Sequence, residues 1–207
     1  MKVRMGEGSL PEVKRREKMN KKTKNIVLGA FLAALSFVSM YFIQIPIFAS
    51  APYLQFDPSE IFTLFAAFFI SPSMGVLVTL VKVILFYFTK QESGPIGSLM
   101  NFLAVSPFVF VAGLLFKKMK NFIFPLNYVI PILIGTFARV MIMIPSNLIF
   151  LPLFIQIGLK EVWTYIYTIN IPFNIIVSLI NGFLFIVFSF ALFRIKEVRK
   201  EFIDVKG

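Results

Sequence analysis

The sequence predicts an all-α integral membrane protein of six transmembrane helices with both termini in the cytoplasm. Hydrophobic residues fill 58% of the 207 positions and aromatic ones 16%, and the mean hydropathy is +0.85. That is too apolar for a soluble domain built on one core. A spanning helix needs ~20 apolar residues, so the chain has room for about six such segments and little else. Of the 21 Lys and Arg, 17 lie at three places: nine before Asn25, three in Lys117–Lys120 and five after Phe193. Six spans put all three places on one side, and the positive-inside rule makes that side cytoplasmic. The opposite side carries Lys90 and Lys160 with Asp57, Glu60, Glu92 and Glu161. The organisation that follows is a basic cytoplasmic tail over 1–24, a six-helix membrane domain over 25–193 and a second basic cytoplasmic tail over 194–207.

Composition also excludes chemistry. The chain has no Cys and no His, which rules out disulfides, thiol nucleophiles, the usual zinc sites, His-ligated haem and Ser-His-Asp triads. No metal site, resident cofactor or catalytic residue is expected. The net charge of +11 could suggest nucleic acid, but a basic stripe interleaved with aromatics is missing, so no nucleic-acid partner is expected. A phosphate-cradling Gly-x-x-x-x-Gly-Lys-Ser/Thr loop is missing too, so any ATP hydrolysis belongs to other subunits.

The first predicted span, Ile26–Phe48, is almost wholly apolar. Ala49-Ser50-Ala51 resembles a small-residue cleavage site, but the preceding run is longer than the apolar region of a signal peptide, so it reads as a span. Within it Gly29 with Ala33, and Ala30 with Ala34, stand four apart on a helix face. Such spacing lets another helix approach closely, whether from this chain or from a partner. The stretch from Pro52 to Glu60 is then a polar, proline-bounded turn that emerges at the membrane surface. The second span, Ile61–Ile70, is short and stops at Ser71-Pro72-Ser73. It must tilt, borrow residues from Pro58–Glu60 or lie sheltered in the bundle. The third, Met74–Phe88, carries Lys82 mid-span, where an ammonium costs about 2.5 to 3.5 kcal/mol unless it faces protein, water or a ligand. Lys82 is therefore expected to point inward.

Residues 91–97 read as a turn-rich external loop, with Asn101 near the start of a fourth span that runs to Phe116. The fifth span, about Phe124 to Leu153, is expected to be interrupted at Pro131 and at Pro145-Ser146-Asn147. Arg139 lies deep within it, a second intramembrane cation explained by pairing or snorkelling inside the bundle. Residues 158–165 form the last external turn, with the single Trp163 at an interfacial position. The sixth span runs from Thr168 to Phe193. Asn174 and Asn181 are seven apart and share one face, which Asn170 extends outward.

The inward polar candidates are thus Gln55, Asp57, Lys82, Asn101, Asn147 and Asn174, joined by Tyr53 and Phe56. All but Lys82 fall in the outer half of the inferred topology. Carboxamides both donate and accept, so several at one depth suit a flat, neutral ligand with mixed polar edges. Taken one by one they could equally bind helix to helix.

These residues carry a resemblance. The stretch Pro52-Tyr53-Leu54-Gln55-Phe56-Asp57-Pro58-Ser59-Glu60, then Ser71-Pro72-Ser73-Met74-Gly75 leading to Val81-Lys82, then Asn101-Phe102-Leu103 resembles the substrate-binding S components of energy-coupling factor vitamin transporters, and most of all the riboflavin-specific branch. Asn147 before Leu151-Pro152-Leu153, and Ile171-Pro172-Phe173-Asn174-Ile175-Ile176, follow in the same order. The resemblance implies a multi-pass, non-enzymatic cell-membrane subunit that captures riboflavin from outside under its first loop. It also implies partners: a transmembrane coupling protein and two cytoplasmic ATPase subunits. Asn147 and Asn174 match asparagines that hold the isoalloxazine ring, and Tyr53 and Gln55 match loop residues that lie over the ligand. Lys82 and Asn101 match motif positions that either touch ligand or brace the pocket. The small-residue face of the first helix, here Gly29, Ala30, Ala33 and Ala34, meets the coupling protein in that family. One position departs: a Lys is expected three residues after Asn174, and Val177 stands there. Other vitamins or flavin-like solutes therefore stay open as ligands. A membrane enzyme acting on lipid is a weaker rival, with only Asp57 and Glu60 as close carboxylates, and an assembly protein is the third.

Overall fold

The computed structural model describes residues 10–90, 94–154 and 158–196. It is a helical bundle with an apolar outer surface and an apolar interior that also holds many polar side chains. Phe31, Phe42, Phe88, Phe137, Ile149, Phe183 and Phe190 point outward, while Ser36, Thr63, Thr79, Lys82, Arg139, Asn147, Asn174, Ser178 and Asn181 are buried. Only a hydrocarbon surround makes that arrangement favourable.

The first helix, α1, runs unbroken from Leu10 to Phe42, so the expected span ends six residues early, at the start of a hairpin. Strand β1 (Ile45–Pro46) pairs antiparallel with β2 (Gln55–Phe56), Ile45 opposite Phe56 and Pro46 opposite Gln55. The polar turn read from the sequence is therefore one arm of a small hairpin laid over one end of the bundle.

Helix α2 (Glu60–Phe65) continues through a widened π turn, Ala66–Ile70, and together they make an apolar helix too short to count with the five long ones. The sheltered option holds, since residues 63–69 are all buried. Small residues let the neighbours close over it: a Cβ on Gly75 of α3 would lie 2.6 Å from Ala67 Cβ, and one on Gly113 of α4 would lie 2.9 Å from Ala67 O. In lipid, such close packing replaces the hydrophobic drive as the source of helix association. Ser71 then turns extended (φ −163°, ψ 153°) before Pro72, and its hydroxyl accepts from Met74 N at 3.0 Å to cap the next helix.

Helix α3 (Pro72–Lys90), α4 (Gly94–Met119) and α5 (Leu126–Phe154) are long enough to cross a bilayer. Residues 91–93 of the expected external loop lie outside the described residues. The remainder of that loop is helical, α4 starting at Gly94 with φ +59°, a conformation that favours glycine. Asn101 accordingly sits two turns inside α4. Helix α5 is not interrupted at its prolines. The side chains that follow Pro145 bond back to carbonyls of the preceding turn, Ser146 Oγ to Ile142 O and Asn147 Nδ2 to Met143 O, each 2.8 Å.

The last external turn is helical as well. Helix α6 (Leu159–Tyr165) passes through a second π turn, Ile166–Asn170, into α7 (Ile171–Leu192), one continuous rod. Pro172 lacks the N–H that an α-helix would send to Thr168 O, and the widened turn falls just before it. Trp163 stacks on Tyr167 at 5.7 Å on the outer surface. At the end away from the hairpin, Phe68 packs against Phe116 (4.4 Å), Phe185 (4.8 Å) and Tyr128 (6.0 Å), filling the bundle with rings.

Candidate ligand-binding site

Under the hairpin lies a cavity of about 280 Å³, just below the usual range for small-molecule sites. Its roof is Gln44, Tyr53, Leu54 and Gln55. Val83 and Phe86 of α3, with Met100, Asn101 and Ala104 of α4, form one wall. Arg139, Met143, Asn147 and Phe150 of α5 form the other, and Tyr165, Asn170, Phe173 and Asn174 of the α6–α7 rod complete it. Asp57 also faces in.

Of the sequence-predicted ligand residues, Tyr53, Gln55, Asp57, Asn101, Asn147 and Asn174 come together on this cavity, and Lys82 does not. Lys82 is fully buried and donates to Ser59 Oγ at 2.5 Å. It points inward as expected, but to the turn rather than to the cavity.

That turn is fastened from four helices. Ser36 of α1 donates to Ser59 O at 2.9 Å and Lys82 of α3 reaches the Ser59 hydroxyl. Arg139 of α5 pairs with Glu60 through Nη1 at 2.8 and 2.9 Å, and Asn181 of α7 donates to Asp57 O at 3.1 Å. Asp57 Oδ1 accepts from Ser59 N at 2.9 Å, closing the loop on itself before α2. Asp57, Glu60, Lys82 and Arg139 are all at least nine-tenths buried, and as two carboxylates and two cations they leave the region neutral. A group of this kind is tolerable in a membrane interior only when its charges balance.

The hairpin itself is held at both flanks. Tyr53 Oη donates to Tyr165 Oη at 3.2 Å, and Lys90 Nζ donates to Gln44 Oε1.

Sequence reasoning missed Arg139, Asn170, Tyr165 and Gln44 as wall or roof residues. For Arg139 a signal existed: a mid-span guanidinium requires a carboxylate, and Glu60 opens the short second span. For Asn170 the same-face spacing with Asn174 was visible, but the π turn that settles its direction was not. Asn174 Nδ2 donates to Asn170 O at 2.8 Å while its Oδ1 accepts from Arg139 Nε at 2.7 Å, so its amide has one orientation. Asn101 Oδ1 and Asn170 Oδ1 are buried acceptors that meet no donor among the described residues. Val177 is buried and is not on the cavity wall.

The first-helix face divides in two. Gly29 is buried, and a Cβ there would lie 2.6 Å from Met74 Sδ; Ala33 is buried beside it. Both pack within the chain. Ala30 and Ala34 are exposed.

A membrane bundle with a partly open, amide-lined cavity at one mouth has the form of a protein that holds a small polar-edged molecule. Comparison with known proteins agrees: the family model for the substrate-specific component of ECF transporters matches residues 24–189, and the chain belongs to that family. It is therefore a multi-pass membrane transport subunit and not an enzyme. The riboflavin transporter RibU of Staphylococcus aureus is 30% identical over 83% of this chain and 92% of its own length. RibU of Lactococcus lactis is 29% identical over 81% and 94%, and the riboflavin transporter FmnP of Bacillus subtilis 25% over 84% and 93%. A solved structure of the S component of a bacterial ECF transporter superposes with a TM-score of 0.67 at 29% identity, covering 83% of this chain and 96% of that one.

Proposed function

We propose that this chain is the riboflavin-capturing S component of an ATP-driven energy-coupling factor transporter. The observation that carries the reading is the convergence of four asparagines, Asn101, Asn147, Asn170 and Asn174, on one cavity roofed by Tyr53 and Gln55. Their mix of donors and acceptors suits the carbonyls, ring nitrogens and imide N–H of an isoalloxazine. The apolar faces of Phe86, Phe150 and Phe173 suit its plane. That the similar RibU and FmnP proteins are riboflavin transporters supports the same vitamin.

In this reading Tyr53, Gln55, Asp57, Asn101, Asn147 and Asn174 contact the ligand, and Lys82 braces the turn that carries Asp57. The basic segments 1–24 and 194–207 lie in the cytoplasm around the six-helix domain 25–193, so the hairpin faces outside. Riboflavin enters when the Tyr53–Tyr165 contact opens and the hairpin lifts, and is enclosed when it returns. The aromatic cluster around Phe68 fills the bundle beneath the cavity, so release inward depends on partners: a coupling protein that meets the exposed Ala30 and Ala34, and two ATPase subunits that supply the energy.

The test is the absorbance and fluorescence spectrum of the detergent-purified protein before and after denaturation. A flavin released at about one per chain, or stoichiometric quenching of added riboflavin, is the expected result. A colourless protein that leaves riboflavin fluorescence untouched sinks the assignment of the vitamin.

A further inference from the structure

The site contains a charged group that the asparagine pattern does not anticipate. Arg139 is 3% exposed and lines the cavity. Its Nη1 is committed to both oxygens of Glu60 and lies 3.4 Å from Ser178 Oγ, and its Nε is committed to Asn174 Oδ1. Nη2 meets no acceptor among the described residues, yet it is not among the sealed-off polar atoms without a partner. In a planar guanidinium the Nε–H and one Nη2–H run parallel along the same edge. Asn174 occupies the Nε half of that edge, so Nη2 points alongside the Asn174 amide, where the wall opens.

We infer that Arg139 is a ligand-contacting, specificity-setting residue whose Nη2 donates a charge-assisted hydrogen bond to a ring carbonyl oxygen of the bound flavin; this rests on the riboflavin reading above. The pairing with Glu60 does two things for such a contact. It neutralises the guanidinium, so the site favours an uncharged carbonyl over an anion. It also immobilises the fork, so the donor is in place before the ligand arrives. Lysine could not replace it, because a single ammonium cannot serve Glu60, Asn174 and a ligand oxygen in one plane. The residue three after Asn174 is the buried, apolar Val177, so α7 offers no cation at that position and the cavity's guanidinium donor comes from α5.

The experiment uses the full chain in detergent or nanodiscs with riboflavin as probe, and reads both affinity and the carbonyl stretching bands of the bound flavin by Raman difference spectroscopy. A charged donor on a carbonyl lowers its stretching frequency, which a residue that only supports the fold does not do selectively. Glu60→Gln keeps the donor and should keep the lowered band. The paired variant Glu60→Gln with Arg139→Met leaves no unpaired charge, and should raise that one band and weaken riboflavin roughly 10- to 100-fold, the scale of one charge-assisted hydrogen bond. Should the paired variant not fold, Arg139→Lys is read in the same way. A folded variant lacking Arg139 that binds as tightly as wild type, or that leaves both carbonyl bands unmoved, overturns the inference alone. Wild-type protein that holds no riboflavin overturns the vitamin assignment, and the inference with it.

Discussion

Replacing Asn147 by Ala separates ligand binding from folding more cleanly than any other substitution at the site. Asn147 is 3% exposed, and its Nδ2 is spent on Met143 O one turn back in the same helix. That bond supplements a helix that needs no such support, and its loss should cost the empty protein little. Among the described residues no donor meets Oδ1, and the side chain lies on the cavity wall. On the proposed reading, Oδ1 receives a ring N–H in the complex. Alanine there leaves that N–H facing a methyl group inside a roofed cavity, where an unmade hydrogen bond costs about 1 to 3 kcal/mol, or about 5- to 150-fold in Kd. Fluorescence-quenching titration of riboflavin measures the affinity, and thermal unfolding without ligand measures the fold. An unchanged Kd refutes the contact. A Tm of the ligand-free protein that falls in step with affinity refutes the separation, and would make Asn147 helix glue after all.

Three further outcomes follow from the same geometry. Lys82→Met removes an anchor on Ser59 worth about 1.5 to 3 kcal/mol and also an intramembrane ammonium that costs about 2.5 to 3.5. It also leaves one buried carboxylate of the turn without its balancing cation, which costs more than losing the ammonium's desolvation gains, so thermal stability should fall and riboflavin binding weaken through the loosened turn; an unchanged Kd refutes the bracing role. Leu at both Ala30 and Ala34 should leave binding intact and abolish uptake by the assembled transporter, whereas Gly29→Leu, forced against Met74 Sδ, should lower stability first; normal uptake by the Ala30/Ala34 variant removes that face from the docking surface. Tyr165→Phe deletes the 3.2 Å contact with Tyr53, worth about 0.5 to 1.5 kcal/mol, and should speed riboflavin release by about 2- to 12-fold in stopped-flow exchange. An unaltered release rate would show that the hairpin is held elsewhere.

The spans were legible because bilayer thickness fixes their length and lipid fixes their composition; five of the six need nothing more. The outer-half polar residues were legible for a related reason, since Asn147 and Asn174 have no cause to sit in a membrane segment unless something inside meets them. What stayed hidden was decided by backbone groups that the sequence does not display. Residues 158–165 look like a turn in a hydropathy reading, yet helix begins at Leu159 and runs through the π turn into α7 as one rod. Prolines at 131 and 145 read as breaks, yet α5 continues through them, with Ser146 and Asn147 bonding carbonyls of the turn before. The division of Gly29 from Ala30 was hidden too. Small residues on adjacent faces look alike until Met74 is seen against one of them.

A buried ion pair such as Arg139–Glu60 is a poor device for stability, because desolvating two charges costs about what their attraction returns. Apolar residues of similar shape would hold α2 to α5 as well. Its presence is better explained by what it fixes. Glu60 begins the helix that follows the Asp57–Ser59 turn, and Arg139 sets the one orientation of the Asn174 amide. The pair therefore ties the turn at the roof's base to the wall proposed to read the ligand. Ser36, on α1, bonds the same turn at Ser59 O, and α1 also carries Ala30 and Ala34 outward. A ligand that tightens the wall at Asn174 thus acts on a turn whose other attachments reach the hairpin and the proposed docking helix. That contiguity gives occupancy of the cavity a physical route to the proposed coupling surface.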